Sequence, residues 1–544
     1  GNINYYLPSH EQSGGHCASG YAKVTGKPGI SIVTSGPGFT NSLTALTDAM
    51  NDSVPFILFS GQVPLSSIGS QAFQECPSIE MSKPVTKWST RVDDINKLPS
   101  IIDNAFKIAL SGKPGAVHID LPKCIISDKL TNKNYIKSND KTDIKMDIID
   151  FKTLKPIIEL INKANKPVII AGQGCNSSWN LLRQFSEIAN IPATTTIHAM
   201  GCVDETSELS LEFLGMHGNA AANYSVQESD LIIAIGTRFD DRITGNVSKF
   251  APEAFKAYKE KRGGIIHVNI NNSEINYVLN SHYNFNTDAH IFLEKIIPYL
   301  DKKNNSEWIN KINKWKRKYP FTYKKSNNMK TQQVIESINN YLLQKKINDY
   351  YISTGVGNHQ MMASQFIKWK YPKSFLTSGS LGTMGVGLPY AIGAQIASPN
   401  SLVIDIDGDG SFNHSLHELK SIVDYNLPVK ICIMNDNTLS MVKAWEQLFY
   451  DKRYTATDLK INPNYSQLAE SFGIKGIKCT NANKLDKTID YMMNYNGPIL
   501  CDFKVEGDLC LPLVCPGKAI DDMILPDNIK TISNHIDNDS MPPG

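Results

Sequence analysis

Asp409 and the run Asn435-Asp436-Asn437 are oxygen-bearing clusters spaced so that they could share a cation. Asp409 sits in the turn Gly408-Asp409-Gly410-Ser411, after the apolar run Leu402–Ile406. Asn-Asp-Asn follows a second apolar run, Val429–Met434. Between them Leu416, Leu419, Ile422 and Val423 recur at helical spacing, and Pro428 closes a helix predicted over 416–425. Strand, glycine turn, helix, strand is a βαβ unit with a parallel sheet, whose ligands gather at the carboxyl ends of the strands. Both clusters therefore reach one edge. A carboxylate, a second oxygen ligand and a diphosphate resting on a helix N-terminus suffice for a Mg²⁺ site.

A second chemical group lies near the start. Ile3–Leu7 reads as a short strand, which puts Glu11 at a strand's carboxyl end beside small residues that admit a close ligand. Thr34–Asn41, TSGPGFTN, places a Gly-Pro-Gly bend after the strand predicted at 29–34, and 55–59 reads as the next strand.

The elements that must hold these groups form three α/β units. Predicted buried strands at 193–197, 231–235 and 265–270 alternate with helices, one over 154–164 with Pro156 in its first turn. Another strand ends at Ile352-Ser353-Thr354. The reading is three doubly wound parallel-sheet domains, at 1–150, 151–325 and 331–544, with a polar linker over 302–330 and a tail from Pro526 that packs little. A doubly wound domain expects a strand and helix before Glu11. The first domain is therefore read as lacking them, with any upstream targeting signal out of sight. Net charge is +2, which gives no reason to expect nucleic acid or an anionic membrane, and no apolar run reaches the ~18 residues of a membrane span. The ten cysteines show no CxxC pair, as in a reducing compartment.

GDGS followed by Asn-Asp-Asn resembles the metal and diphosphate motif of thiamine diphosphate (ThDP) enzymes. HEQSGGHCASGYAKVTGKPG, VTSGPGFTNSLTALTDAMNDSVPFILFSGQVP, GSQAFQE, IGTRFDDRITG and SGSLGTMGVGLPYAIGA are similar to segments of acetolactate synthase (acetohydroxyacid synthase) catalytic subunits. The resemblance implies decarboxylation of pyruvate and ligation of the two-carbon unit to a second 2-keto acid, pyruvate or 2-oxobutyrate, the first common step of branched-chain amino-acid synthesis. It implies ThDP, Mg²⁺ and a structural FAD.

By motif position, Glu11 matches the carboxyl group that activates the aminopyrimidine, best served by a pKa raised by burial. Gln74 and Phe73 lie near the reacting centre, with Pro37 and Asn41 beside them. The Gly382 carbonyl would accept from the aminopyrimidine, and Met384 would wedge the coenzyme into its bent shape. Gly357, Asn358, His359, Gly410 and Ser411 match diphosphate contacts, and Met441 a further coenzyme contact. Asp409, Asp436 and the Thr438 carbonyl match the metal ligands. Arg242 and Trp445 would position the second keto acid, with Pro64, Lys123, Met216 and Val442 along the substrate channel. For FAD the matches are Gly172, Gln173, Gly174, Thr196, His217, Gly236, Asp240, Arg242 and Asp288, with Arg238 gripping a phosphate bidentately. Ser66, His198, Asn269, Asn271, Asn358 and Asp436 depart from the family pattern.

The resemblance also implies a homodimer or homotetramer with its site at the subunit interface, and a small regulatory subunit as an optional partner. Neither nucleic acid nor membrane is expected, and the location is read as cytoplasmic, with an organelle as the alternative. Two other readings stay open: another ThDP-dependent carboligase or decarboxylase, and a catalytically degenerate scaffold of the same fold.

Overall fold

Runs of β-branched residues alternate with helices along the chain, and they sort into three parallel sheets. The structure, a computed structural model, describes residues 3–131 and 146–526. The first sheet holds β1 (Gly29–Val33), β2 (Phe56–Gln62), β3 (Trp88–Arg91) and β4 (Ala116–Pro122) in the order β1-β2-β4-β3. The second holds β5 (Pro167–Ala171), β6 (Ala193–Thr195), β7 (Ser210–Phe213), β8 (Leu231–Ile235), β9 (Gly264–Asn269) and β10 (Tyr283–Asn286), in the order β10-β9-β8-β5-β6-β7. The third holds β11 (Tyr350–Thr354), β12 (Phe375–Leu376), β13 (Leu402–Gly408), β14 (Lys430–Asn435), β15 (Lys475–Cys479) and β16 (Ile499–Lys504), in the order β12-β11-β13-β14-β16-β15. The fold class is α/β. β5 and β8 are buried at every position, as expected of parallel strands covered on both faces. Strand order reverses between β5 and β8, and again between β11 and β13. Those two points open crevices at the carboxyl ends of the strands.

The first and third units meet along helix α1 (Glu11–Thr25) and the helix Gly387–Ala397. A Cβ on Gly20 would lie 2.6 Å from the Tyr390 carbonyl oxygen, and one on Gly393 2.0 Å from the Cys17 carbonyl oxygen. Among the small residues after Glu11, Cys17 and Gly20 thus serve backbone-on-backbone helix packing. Ile3–Leu7 is not a strand but an extended coil, with Ile3, Tyr5 and Leu7 exposed. Glu11 opens α1 instead, and the His10 ring caps that helix by accepting from the Gln12 amide at 3.1 Å. Pro156 lies inside the helix Phe151–Lys163, past its first turn, because the Asp150–Thr153 capping box starts the helix earlier. The region 302–330 is not merely a linker. It carries the helix Ser306–Lys318, whose Trp308 and Ile312 pack into the second unit's core. The tail from Pro526 falls almost wholly outside the described residues. Among those described, no helix is long and apolar enough to cross a membrane.

His118 on β4 is held as a neutral imidazole, 2.8 Å from both Ser60 Oγ and Ser82 Oγ. Burial, with the Arg91 charge nearby, lowers its pKa to about 3. The unfolded chain takes up this proton near pH 6.5 and the folded chain does not. Stability from His118 is therefore present above that pH and is lost as pH falls toward 3, by about 1.4 kcal/mol per unit. Urea unfolding of His118→Gln between pH 4 and 7 is expected to show lower stability at pH 7 and a flatter acid slope.

Candidate functional site

The third sheet brings the acidic pair together. β13 and β14 are paired through Gly408↔Met434, so Asp409 and Asp436 leave adjacent strand ends. Asp409 Oδ2 accepts from the Asn437 amide and from Asn462 Nδ2, each at 2.7 Å, and its Oδ1 accepts from the Gly410 amide at 2.9 Å. Asp436 Oδ1 accepts from the Thr438 amide and hydroxyl, each at 2.9 Å, and its Oδ2 accepts from Ser440. Neither carboxylate has an ion-pair partner among the described residues. Burial, then the Asp436 charge, pushes Asp409 up to about 7. Two hard-oxygen carboxylates that repel one another at a strand edge fit a divalent cation. Among the described residues no third His, Cys, Asp or Glu completes a metal cluster, so the set also needs oxygens from a ligand.

Across the switch point, the turn after β11 leads into the helix Asn358–Phe366. The His359 ring is wedged between two turns. A Cβ on Gly408 would lie 2.6 Å from its Nδ1, and one on Gly357 3.0 Å from its Cε1. His359 Nε2 lies 3.3 Å from the buried Asp407 carboxylate. Gly357, Gly410 and Ser411 border the same crevice, where the helix N-terminus suits a phosphate. Asn358, expected as a phosphate contact, opens that helix. Its amide nitrogen donates one hydrogen to the Asp508 carbonyl at 3.0 Å, and its buried oxygen has no partner.

The first-unit residues gather at another edge. Asn41, on helix α2 (Pro37–Asn51), donates to Glu11 Oε2 at 3.0 Å. Gln74, held at φ +63°, accepts from Ser35 at 3.4 Å, and Phe73 is 90 % exposed. The pKa of Glu11 is lowered, first by the Asn41 hydrogen bond, with the opposing effect of burial smaller. Burial raises it less than expected because Glu11 is only half-buried within one copy of the chain.

All three units line a cavity of about 740 Å³. From the second unit come Gln173, Gly174, Thr196, Met216, His217, Gly236, Arg238, Asp240, Arg242 and Asp288. From the third come Gly382, Met441 and Trp445. Gly172 lies beneath the lining. Glu11, Gln74, Phe73, Pro37, Asn41, Pro64, Lys123 and Val442 are absent from it, as are the diphosphate-turn residues and Met384. Burial lowers His217 to about 4 and raises Asp240. Arg238 already gives two of its five N–H donors to the protein. Its Nη1 donates to the Asn51 carbonyl at 2.9 Å and its Nη2 to Ser380 Oγ at 2.8 Å. Two of the departures fit their surroundings: Asn269 donates to the Thr237 carbonyl at 3.0 Å, and His198 lies 3.0 Å from Asp52. A cavity of this volume at the β5/β8 switch point fits a dinucleotide. Sequence reasoning missed the loops 53–55 and 112–114 and the Ile270 and Thr287 positions in its wall. Ile270 and Thr287 follow directly on the carboxyl ends of β9 and β10, a signal that could have found them.

Three family models match the chain. The N-terminal TPP binding domain of thiamine pyrophosphate enzymes covers residues 1–81, their central domain 154–296, and their C-terminal TPP binding domain 355–503. The chain is 44 % identical over 541 residues to the mitochondrial acetolactate synthase catalytic subunit of Saccharomyces cerevisiae, spanning 96 % of this chain and 78 % of that one. It is 38 % identical to the chloroplastic acetolactate synthase of Arabidopsis thaliana, over 96 % of this chain and 79 % of that one. It is 37 % identical to the probable acetolactate synthase large subunit of Methanococcus aeolicus, over 96 % and 89 %.

Proposed function

The chain belongs to the acetolactate synthase catalytic-subunit family of ThDP enzymes, and from that premise we propose how its own residues divide the work. The protein is a ThDP-dependent acetolactate synthase, which removes CO₂ from pyruvate and joins the remaining two-carbon unit to a second 2-keto acid. Bound ThDP supplies the electron sink for the carbon–carbon bond that breaks. Asp409, Asp436 and the Thr438 carbonyl would hold Mg²⁺ and, through it, the diphosphate. The turns at Gly357–His359 and Gly410–Ser411 would cradle that diphosphate with backbone amides. Glu11, oriented by Asn41, would exchange a proton with the pyrimidine ring. Gly382 and Met384 would face the coenzyme, while Arg242 and Trp445 would place the second keto acid. FAD would occupy the cavity of the second unit as a structural group.

The observation that carries this reading is the pair of uncompensated carboxylates, Asp409 and Asp436, at the β13/β14 edge beside the Gly357–His359 turn. The test is incubation with pyruvate, ThDP and Mg²⁺. Acetolactate should form, and the purified protein should carry a flavin absorbance. A colourless protein would remove FAD from the account, and no product would remove the activity.

The Glu11 edge lies off the cavity that Gly382 and Trp445 line, and Phe73 beside it is exposed. This favours a homodimer, or a tetramer built from it, in which Glu11 of one copy faces the diphosphate turns of another. A regulatory small subunit is a further partner to test by co-purification. The names of the fungal and plant relatives favour an organelle over the cytoplasm.

Asp436 carries a charge where the family usually has Asn, so it repels the diphosphate it helps to anchor. Asp436→Asn is expected to bind ThDP about fivefold more tightly at saturating Mg²⁺, read by calorimetric titration. Equal or weaker binding would contradict this.

A further inference from the structure

Helix α2 ends where the three units meet. The Asn51 carbonyl accepts from Arg238, and the Asp52 carbonyl accepts from Gln173 Nε2 at 2.7 Å. Two carboxylates of this end, Asp48 and Asp52, are buried, 0 % and 1 % exposed, and belong to neither the metal edge nor the cavity wall. Both reach the loop after β12. Asp48 Oδ1 accepts from the Ser378 hydroxyl, and from Thr383 Oγ1 at 3.4 Å; its Oδ2 accepts from the Tyr390 hydroxyl. Asp52 accepts from the Ser380 amide at 3.0 Å, the Gly379 amide at 3.2 Å and Lys23 Nζ at 3.0 Å. Ser378 Oγ in turn accepts from the Gly382 and Thr383 amides, each at 3.0 Å.

We propose that Asp48, acting through Ser378, is a positioning residue for the loop that presents the Gly382 carbonyl and Met384, and that Asp52 pins the base of the same loop. This rests on the reading that Gly382 and Met384 face the coenzyme. A hydroxyl has one proton and two acceptor sites. A carboxylate only accepts, so Asp48 takes the Ser378 proton and leaves both acceptor sites for the two loop amides. Gly382 is held at φ +73°, one of several conformations open to glycine, so its backbone alone does not fix the loop's shape. Burying a charge is costly, and the donors drawn to Asp48 and Asp52 from the third unit offset that cost. The first unit thereby sets the shape of a third-unit loop more than 300 residues away in the chain.

The test is hydrogen exchange of the 378–385 segment in the coenzyme-free full chain, followed by ThDP titration with Mg²⁺, read by tryptophan fluorescence. Ser378→Ala and Asp48→Ala should each speed exchange there about tenfold. The double variant should add little, because both act on one path. Asp48→Asn, which keeps an acceptor, should stay nearer the parent. If Asp48→Ala fails to fold, Ser378→Ala decides alone, since Asp48 there keeps the Tyr390 and Thr383 hydroxyls as donors. Unchanged exchange in Ser378→Ala, or fully additive effects, would overturn the proposal. Faster exchange with parental ThDP affinity would support the positioning and contradict the placement of Gly382 and Met384 on the coenzyme.

Discussion

A Glu11→Gln protein is expected to fold, to bind ThDP and Mg²⁺ nearly as the parent does, and to form acetolactate at least about a hundredfold more slowly. The carboxylate is the group that differs, because Gln keeps the size and can still accept from Asn41. In the single chain the Glu11 pKa is lowered by that Asn41 bond. A carboxyl group that must give and take a proton works better with a higher pKa. Covering by a second copy would desolvate Glu11 and move it in that direction. The decisive readout is acetolactate formed per minute at saturating pyruvate, with thermal unfolding as the control for folding. A parental rate would remove Glu11 from the mechanism.

An Asp409→Asn protein should lose Mg²⁺ and ThDP together, each by about tenfold or more, because half of the cation's charge partner is gone. The same change should leave the coenzyme-free protein as stable as the parent or more so. Asp409 is pushed up to about 7 by burial and by Asp436, which means that the ionised form is held at a cost until a cation arrives. Opposite signs for stability and affinity distinguish a ligand from a structural residue. Calorimetric titration gives the affinity, and urea unfolding at neutral pH gives the stability.

The β13–β14 unit was readable from sequence because its signals are local: two apolar runs, a glycine turn and a proline stop. Its site followed from topology, since both acidic clusters end adjacent parallel strands. Small residues after Glu11 suit close ligand approach and close helix packing alike, and at Gly20 it takes the partner helix Gly387–Ala397 to show the packing. The sequence marks Asn358 as a phosphate donor but not that its amide also meets the Asp508 carbonyl, 150 residues further on. Arg238 likewise meets groups from the other two units, Asn51 and Ser380, that no spacing within its own motif discloses. Asp48 and Asp52 went unremarked. Carboxylates four residues apart on a helix look like a solvated face, whereas here they point into a domain junction.

The most direct measurement of the central claim is the rate at which bound ThDP exchanges its thiazolium C2 hydrogen with solvent deuterium, followed by NMR after acid quench. The parent should exchange faster than Glu11→Gln by about a hundredfold or more, with both proteins saturated in coenzyme and Mg²⁺. Equal rates in the two proteins would contradict the assignment of Glu11 as the group that switches the coenzyme on.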